Sequence, residues 1–240
     1  MTVVPKPNPL LKTKSRMKQI FLHRTGQPRL LLFFAGWGAD EHLFPYTPPA
    51  GYDFLLCYDY TDEAFDYSLL EPYTEIRLLA WSLGVWTAAH TLSGHTDRLT
   101  QCLALNGTLH PIDDTRGIPS AIFEGTLVRF TKQNLYKFRR RMCGTAEGLT
   151  TFMDHCPQRT PESLRAELAA LHHRILSHPE PQPFSWDHAL IGAQDLIFPT
   201  ANQQNAWSDV PQLVLPGVAH YDEHLFAGLI EGKEELWTSR

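Results

Sequence analysis

The chain has 240 residues, of which 43% are apolar and 20% charged, and it carries a formal net charge of −5. That composition excludes a largely disordered chain, and the acidic balance argues against nucleic acid as a partner. The length suits one domain with a sizeable core.

Residues 1–16, "MTVVPKPNPLLKTKSR", are Pro-rich and basic and lack the apolar stretch of a signal peptide. They are expected to form a disordered leader. From Met17 onward, apolar runs predict strands at 18–22, 29–35, 53–59, 76–81, 102–107, 188–193 and 211–215. Several runs, such as "LLLFF" and "FLLCY", are continuous rather than alternating. Such strands are buried on both faces, which means a mostly parallel sheet covered by helices. Helical patterns follow at 83–93 and at 222–237. Between about 109 and 185 no strand is expected. Helical patches lie instead at 120–129, 131–142, 145–154 and 161–177, the last with Thr160 as N-cap, Pro161 at the first helical position and Glu162 in the first turn. The expected architecture is α/β, with a core of 17–108 and 186–240 and a helical insertion at 109–185. Ligands bind open α/β sheets at the carboxyl ends of the strands, so an insertion there is placed to act as a lid. No apolar run is long enough to cross a membrane. The four cysteines, Cys57, Cys102, Cys143 and Cys156, form no CxxC pair, which fits a reducing, cytoplasmic setting. Cys57 and Cys102 read as small core residues.

Within this pattern, "LLAWSLGVW" places Ser82 between a buried strand and a helix, with Ala80 and Gly84 two residues to either side. A serine there can cap the helix. It can also be a nucleophile on a sharp strand-to-helix turn, where the residues two away must be small. The usual form has glycine at both positions, and Ala80 departs from it by one methyl group. Such a turn puts the serine at a helix N-terminus, whose free N–H groups can stabilise a developing oxyanion. Asp195 ends the strand in "HALIGAQD", and His220 follows the strand and Gly-containing loop of "PQLVLPGVAH". Taken singly, Asp195 could mark a surface turn and His220 could cap a helix. Together with Ser82 they stand in the chain order Ser, Asp, His of a strand-turn-helix hydrolase, and they are the expected catalytic set. His220 would take the Ser82 proton and return it to the leaving group, with Asp195 orienting the imidazole. An ordinary imidazole titrates near ~6.5, so activity should fall in mild acid. Reserve candidates are Asp154, Asp187 and Asp222 for the acid and His224 for the base.

The backbone N–H groups of Leu83 and of Trp37, in the loop "FFAGWGAD", are the expected oxyanion donors, with Gly36 and Gly38 letting the backbone approach the substrate. Trp37 and Trp81 are expected to flank the substrate pocket. Gly-Trp-Gly can also be a simple turn with a packed indole, and the two readings are compatible. His172, His173, His178, Cys143, His155 and Cys156 supply metal-ligand types, but no pair with the spacing of a metal motif occurs and no metal or cofactor is expected.

The segments "FFAGWGAD", "YDY", "LLAWSLGVW", "LALNGT", "FRRRMCG" and "GVAHYDEHLF" together resemble the BioG family of pimeloyl-[acyl-carrier-protein] methyl ester esterases of biotin synthesis, over roughly Met17 to the end. The resemblance implies an α/β-hydrolase fold and a serine, aspartate and histidine at Ser82, Asp195 and His220. It also implies a substrate: a seven-carbon dicarboxylyl chain, thioester-linked to an acyl carrier protein, whose far carboxyl is methylated. A basic stretch, "RFTKQNLYKFRRR", carries Arg129, Lys132, Lys137, Arg139, Arg140 and Arg141 without an acidic residue. In a chain of net negative charge it could steer an acidic carrier protein to the mouth, or be a solvated helix face. The three consecutive arginines cannot share one face of a helix. A general carboxylesterase or thioesterase of small acyl compounds, and a non-catalytic binding protein of hydrolase fold, are the alternative functions.

Overall fold

The computed structural model describes residues 17–238, so the expected leader lies outside the described residues. Seven strands form one sheet in the order β1-β3-β2-β4-β5-β6-β7. They are β1 (Lys18–His23), β2 (Arg29–Phe34), β3 (Tyr52–Tyr58), β4 (Glu75–Trp81), β5 (Leu99–Leu105), β6 (His188–Gly192) and β7 (Gln212–Leu215). Every neighbouring pair is parallel except β1 with β3. β1 is also the one strand of the first four that is largely half-buried, as an antiparallel edge strand can be. The continuous apolar runs lie at the centre: β3 is buried at all seven positions and β2 at five of six.

Eight helices accompany the sheet among the described residues: α1 (Leu83–Leu92), α2 (Ser120–Val128), α3 (Lys132–Cys143), α4 (Ala146–Asp154), α5 (Pro161–Ser177), α6 (Thr200–Ala206), α7 (Glu223–Ile230) and α8 (Glu234–Trp237). α1 packs on β2 and β4, α3 on α4, α2 on α5, and α4 reaches α7. Thr131, Thr145 and Thr160 cap α3, α4 and α5 through their hydroxyls, which accept the N–H groups of Asn134, Gly148 and Ser163.

β5 starts at Leu99 rather than 102, and two further boundaries differ from the sequence reading for a visible backbone reason. The terminal helix expected over 222–237 is two helices, because Gly232 takes φ +79° between them. A Cβ there would also lie 2.7 Å from the Pro49 ring, so the break is built into the packing. β5 ends at Leu105 rather than 107, because Asn106 turns into the left-handed region at φ +45°.

α5 is anchored to the sheet by buried charge. Arg159, just before α5, pairs with Asp59 at 2.9 Å and with Glu167, whose side chain is fully buried. Glu167 also accepts the N–H groups of Tyr60 at 3.0 Å and Gly38 at 3.3 Å. Burial pushes the Glu167 carboxyl up, and the Arg159 charge partly offsets it. The Trp37 indole donates to the Leu164 carbonyl at 2.8 Å, so α5 grips the loop after β2 at two points.

Candidate active site

Ser82 stands at the tip of β4 with φ 59° and ψ −129°, a backbone conformation that side chains rarely adopt. The surrounding glycines make it possible. A Cβ on Gly84 would lie 2.3 Å from the Phe34 carbonyl oxygen, and one on Gly107 would lie 2.3 Å from that of Ser82. The serine does not cap α1 through its side chain. Its Oγ lies 3.0 Å from Nε2 of His220 instead. On the other side of the ring, Nδ1 lies 2.8 Å from Oδ2 of Asp195. An ionised carboxylate can only accept, so Nδ1 carries the proton and Nε2 is left to accept the serine hydroxyl. All three residues are buried, each at 5% exposure or less.

The carboxylate is held as tightly as the ring. Asp195 Oδ1 accepts the N–H groups of Ile197 and Phe198 at 2.8 and 2.9 Å, and Oδ2 accepts the Gln203 amide at 3.0 Å. The imidazole stacks on Phe198 with planes 6° apart. The His220 carbonyl accepts from the Trp81 indole at 3.0 Å and from the Asn106 amide at 3.1 Å. Asn106 also donates to the Ala219 carbonyl and accepts Gly192 N–H, tying the ends of β5 and β6 to the histidine loop. Sequence reasoning did not single out Asn106, Gln203, Gly107 or Glu167. Asn106, Gly107 and Glu167 act through partners about a hundred residues away, while Gln203 reaches Asp195 across one turn of chain that no motif marks.

The backbone N–H groups of Trp37 and Leu83 have no acceptor among the described residues. Trp37, Trp81, Ser82, Leu83 and His220 line one narrow cleft. Its other wall comes from the segment between β5 and β6, chiefly Ile118, Ile122, Phe123, Phe138, Met142 and Leu168. The cleft continues into a wider groove between α2 and α3, which holds about 350 Å³.

The six basic residues divide. Arg129, Lys132, Lys137 and Arg140 are exposed. The Arg139 guanidinium lies over Phe152 at 5.5 Å, and that of Arg141 lies 6.0 Å from the Phe138 ring centre. None of the six is in an ion pair among the described residues.

The reserve residues have other work. Asp187 accepts Cys102 N–H and Asp222 caps α7, while Asp154 and His224 are exposed. His172 stacks on Phe123, and the His178 ring faces His90. Among the described residues, the three metal-ligand-type side chains that converge are Asp40, Glu41 and His42. Asp40 there already accepts Gln158 N–H, and Glu41 the Tyr58 hydroxyl.

A serine hydroxyl, an imidazole, a carboxylate and two free N–H donors at one apolar cleft are the kinds of group that acyl transfer to water uses. Comparison with known proteins agrees with that chemistry. The family model of pimeloyl-ACP methyl esterase BioG matches residues 17–229. The crystal structure of BioG from Haemophilus influenzae superposes with a TM-score of 0.85 at 36% identity, covering 92% of this chain and all of that one. A malonyl-[acyl-carrier protein] O-methyltransferase of Bacteroides fragilis is 46% identical over 196 residues, which is 81% of this chain. The chain spans only 40% of the length of that relative. An esterase from Exiguobacterium antarcticum, at 12% identity and TM-score 0.58 over 85% of this chain and 87% of its own, shares the α/β-hydrolase fold.

Proposed function

The chain belongs to the BioG family, and on that premise we propose that it is a serine esterase acting on pimeloyl-[acyl-carrier protein] methyl ester, releasing methanol and the free pimeloyl carrier in biotin synthesis. The observation that carries this reading is the Ser82–His220–Asp195 relay at 3.0 and 2.8 Å, facing an apolar cleft. Ser82 Oγ attacks the methyl ester carbonyl while His220 takes its proton, and the N–H groups of Trp37 and Leu83 receive the oxyanion. Collapse expels methoxide, which His220 protonates. Water then attacks the acyl-enzyme through the same base, and the free carboxylate leaves with Ser82 restored.

The same catalyst must spare the more reactive thioester, and position can achieve this. The distal ester enters the cleft while the thioester stays toward the groove. The helical segment α2–α5 acts as the lid that builds the cleft wall. Arg129, Lys132, Lys137 and Arg140, exposed and unpaired on it, are the docking surface for an acidic acyl carrier protein, with Arg139 and Arg141 turned toward aromatic rings. The methyl transfer in the name of the Bacteroides relative is said of a longer protein, and the parts found in this chain are those of a hydrolase.

The decisive experiment follows the mass of pimeloyl-carrier methyl ester with wild type and Ser82→Ala. Loss of the methyl group with the thioester intact, by wild type alone, is the expected result. Cleavage of a short aryl ester in a Ser82-dependent way, without demethylation of the carrier substrate, would favour a general carboxylesterase. Hydrolysis surviving in Ser82→Ala would remove the serine assignment.

A further inference from the structure

Arg141 is the one strongly polar side chain that the lid contributes to the serine cleft. It lines both that cleft and the groove beyond, at the point where Trp37, Ile122, Thr126 and Phe138 are also shared. Its Nε is buried and has no hydrogen-bond partner. Among the described residues its other guanidinium nitrogens have none either, and no carboxylate pairs with it. Burial lowers its pKa from the ordinary arginine value, as removal from water without a compensating charge must. The residue is half-buried, with the guanidinium 6.0 Å from the Phe138 ring centre, and a buried Nε donor without a partner is costly unless something else supplies the acceptor. The neighbouring arginines do not share this situation, since Arg140 is exposed and Arg139 lines neither the cleft nor the groove.

A polymethylene chain in an apolar cleft has no intrinsic register, because each methylene is equivalent to the next. One donor at a fixed distance from the nucleophile would supply the register. We propose that Arg141 is a specificity subsite that hydrogen-bonds the carbonyl oxygen at the far end of the acyl chain, the thioester carbonyl of a carrier-bound substrate, and so fixes which ester reaches Ser82. The identity of the chain rests on the esterase reading above; the presence of an acceptor-binding subsite does not. Binding that carbonyl would also hold the thioester carbon away from the Ser82 hydroxyl, so one contact sets both chain length and the choice between two cleavable bonds.

The test uses two methyl esters of equal length, one ending in an S-ethyl thioester whose carbonyl is separated from the ester carbonyl by five methylenes, and one in which an all-carbon chain replaces that thioester. Methanol release is measured as kcat/KM for both, with wild type, Arg141→Met and Arg141→Lys. Wild type is expected to favour the thioester-ended chain by about tenfold, the effect of one buried hydrogen bond to a charged donor. The preference should fall toward unity in Arg141→Met and return in part in Arg141→Lys. Because each preference is a ratio within one protein, loss of folded material does not imitate it. A wild-type ratio near one, or a ratio unchanged in Arg141→Met, overturns the subsite. If the preference is found but carrier-bound substrate is not demethylated, the subsite stands and the carrier assignment falls.

Discussion

At Ser82 the cost of function is stored in the backbone. Its positive φ persists because Gly84 and Gly107 allow the turn to press against the β2 and β5 ends. Gly84→Ala would drive a methyl group into the Phe34 and Ala35 carbonyls, at 2.3 and 2.5 Å. Neither oxygen can rotate away, so we expect a loss of about 3 kcal/mol in denaturant-measured stability, with activity lost alongside. At Asp195 the expected outcome separates chemistry from packing. Asp195→Asn keeps the shape, but its amide group favours the wrong imidazole tautomer. The kcat should fall by about 10³–10⁴ with the melting temperature little changed. Asn106→Ala leaves the Ala219 carbonyl and Gly192 N–H without partners and takes one of two donors from the His220 carbonyl, which keeps the Trp81 indole. It should cost about 2 kcal/mol and lower kcat through a misplaced histidine loop.

Among the elements, α5 does the positioning. The side chains of its Glu167 and of the preceding Arg159 are buried and paired; removing the arginine strands Glu167, whereas Arg159 would keep Asp59. Arg159→Met should therefore destabilise by about 3–5 kcal/mol, read from urea unfolding. Glu167→Gln should cost less stability but still lower kcat, because Gly38 N–H next to Trp37 loses its charged acceptor. α1 carries a pH-dependent element on its far side. Burial pushes His90 down to about 4, with the charges of His178 and Arg174 adding to the effect. The unfolded chain binds this proton near ~6.5, so the unfolded state gains protons first as pH falls. Stability is thus complete above the unfolded value and is lost between there and the folded value, by about 1–2 kcal/mol once the ~3 kcal/mol of the full shift is reduced for solvent screening of a half-buried ring. His90→Phe, which can keep the stacking on Trp86, should flatten the fall in melting temperature between neutral pH and pH ~5.

For the molecule as a whole, charge is unevenly distributed. The net charge is −5, yet the stretch that ends α2 and forms α3 presents Arg129, Lys132, Lys137 and Arg140 to solvent. Encounter with an acidic carrier should then be salt-sensitive. Raising ionic strength from about 0.05 to 0.5 M should raise KM for the carrier substrate several-fold and leave that of a neutral aryl ester within twofold. Equal responses would count against docking through the lid.

Strand positions, the parallel sheet and the helical stretch between β5 and β6 were legible in the chain because they rest on local quantities. Continuous apolar runs mark strands buried on both faces, and Thr160 with Pro161 marks the start of α5. Ser82, Asp195 and His220 were nameable for a related reason: each sits at a strand end whose position those runs reveal. What brings the three side chains to 3.0 and 2.8 Å is not local. It depends on Asn106, Gln203 and Gly107, whose partners lie up to 114 residues away for Asn106, and on no pattern within their own segments. Likewise helix geometry said that the arginines of "FRRR" must diverge, but only the packing of α3 shows that Arg140 goes to solvent and Arg141 to the cleft wall. Composition and periodicity determine which elements form and which faces are apolar. Only tertiary packing decides which buried polar groups meet, because hydrogen bonds are set by distances of tenths of an ångström between residues that are strangers in sequence.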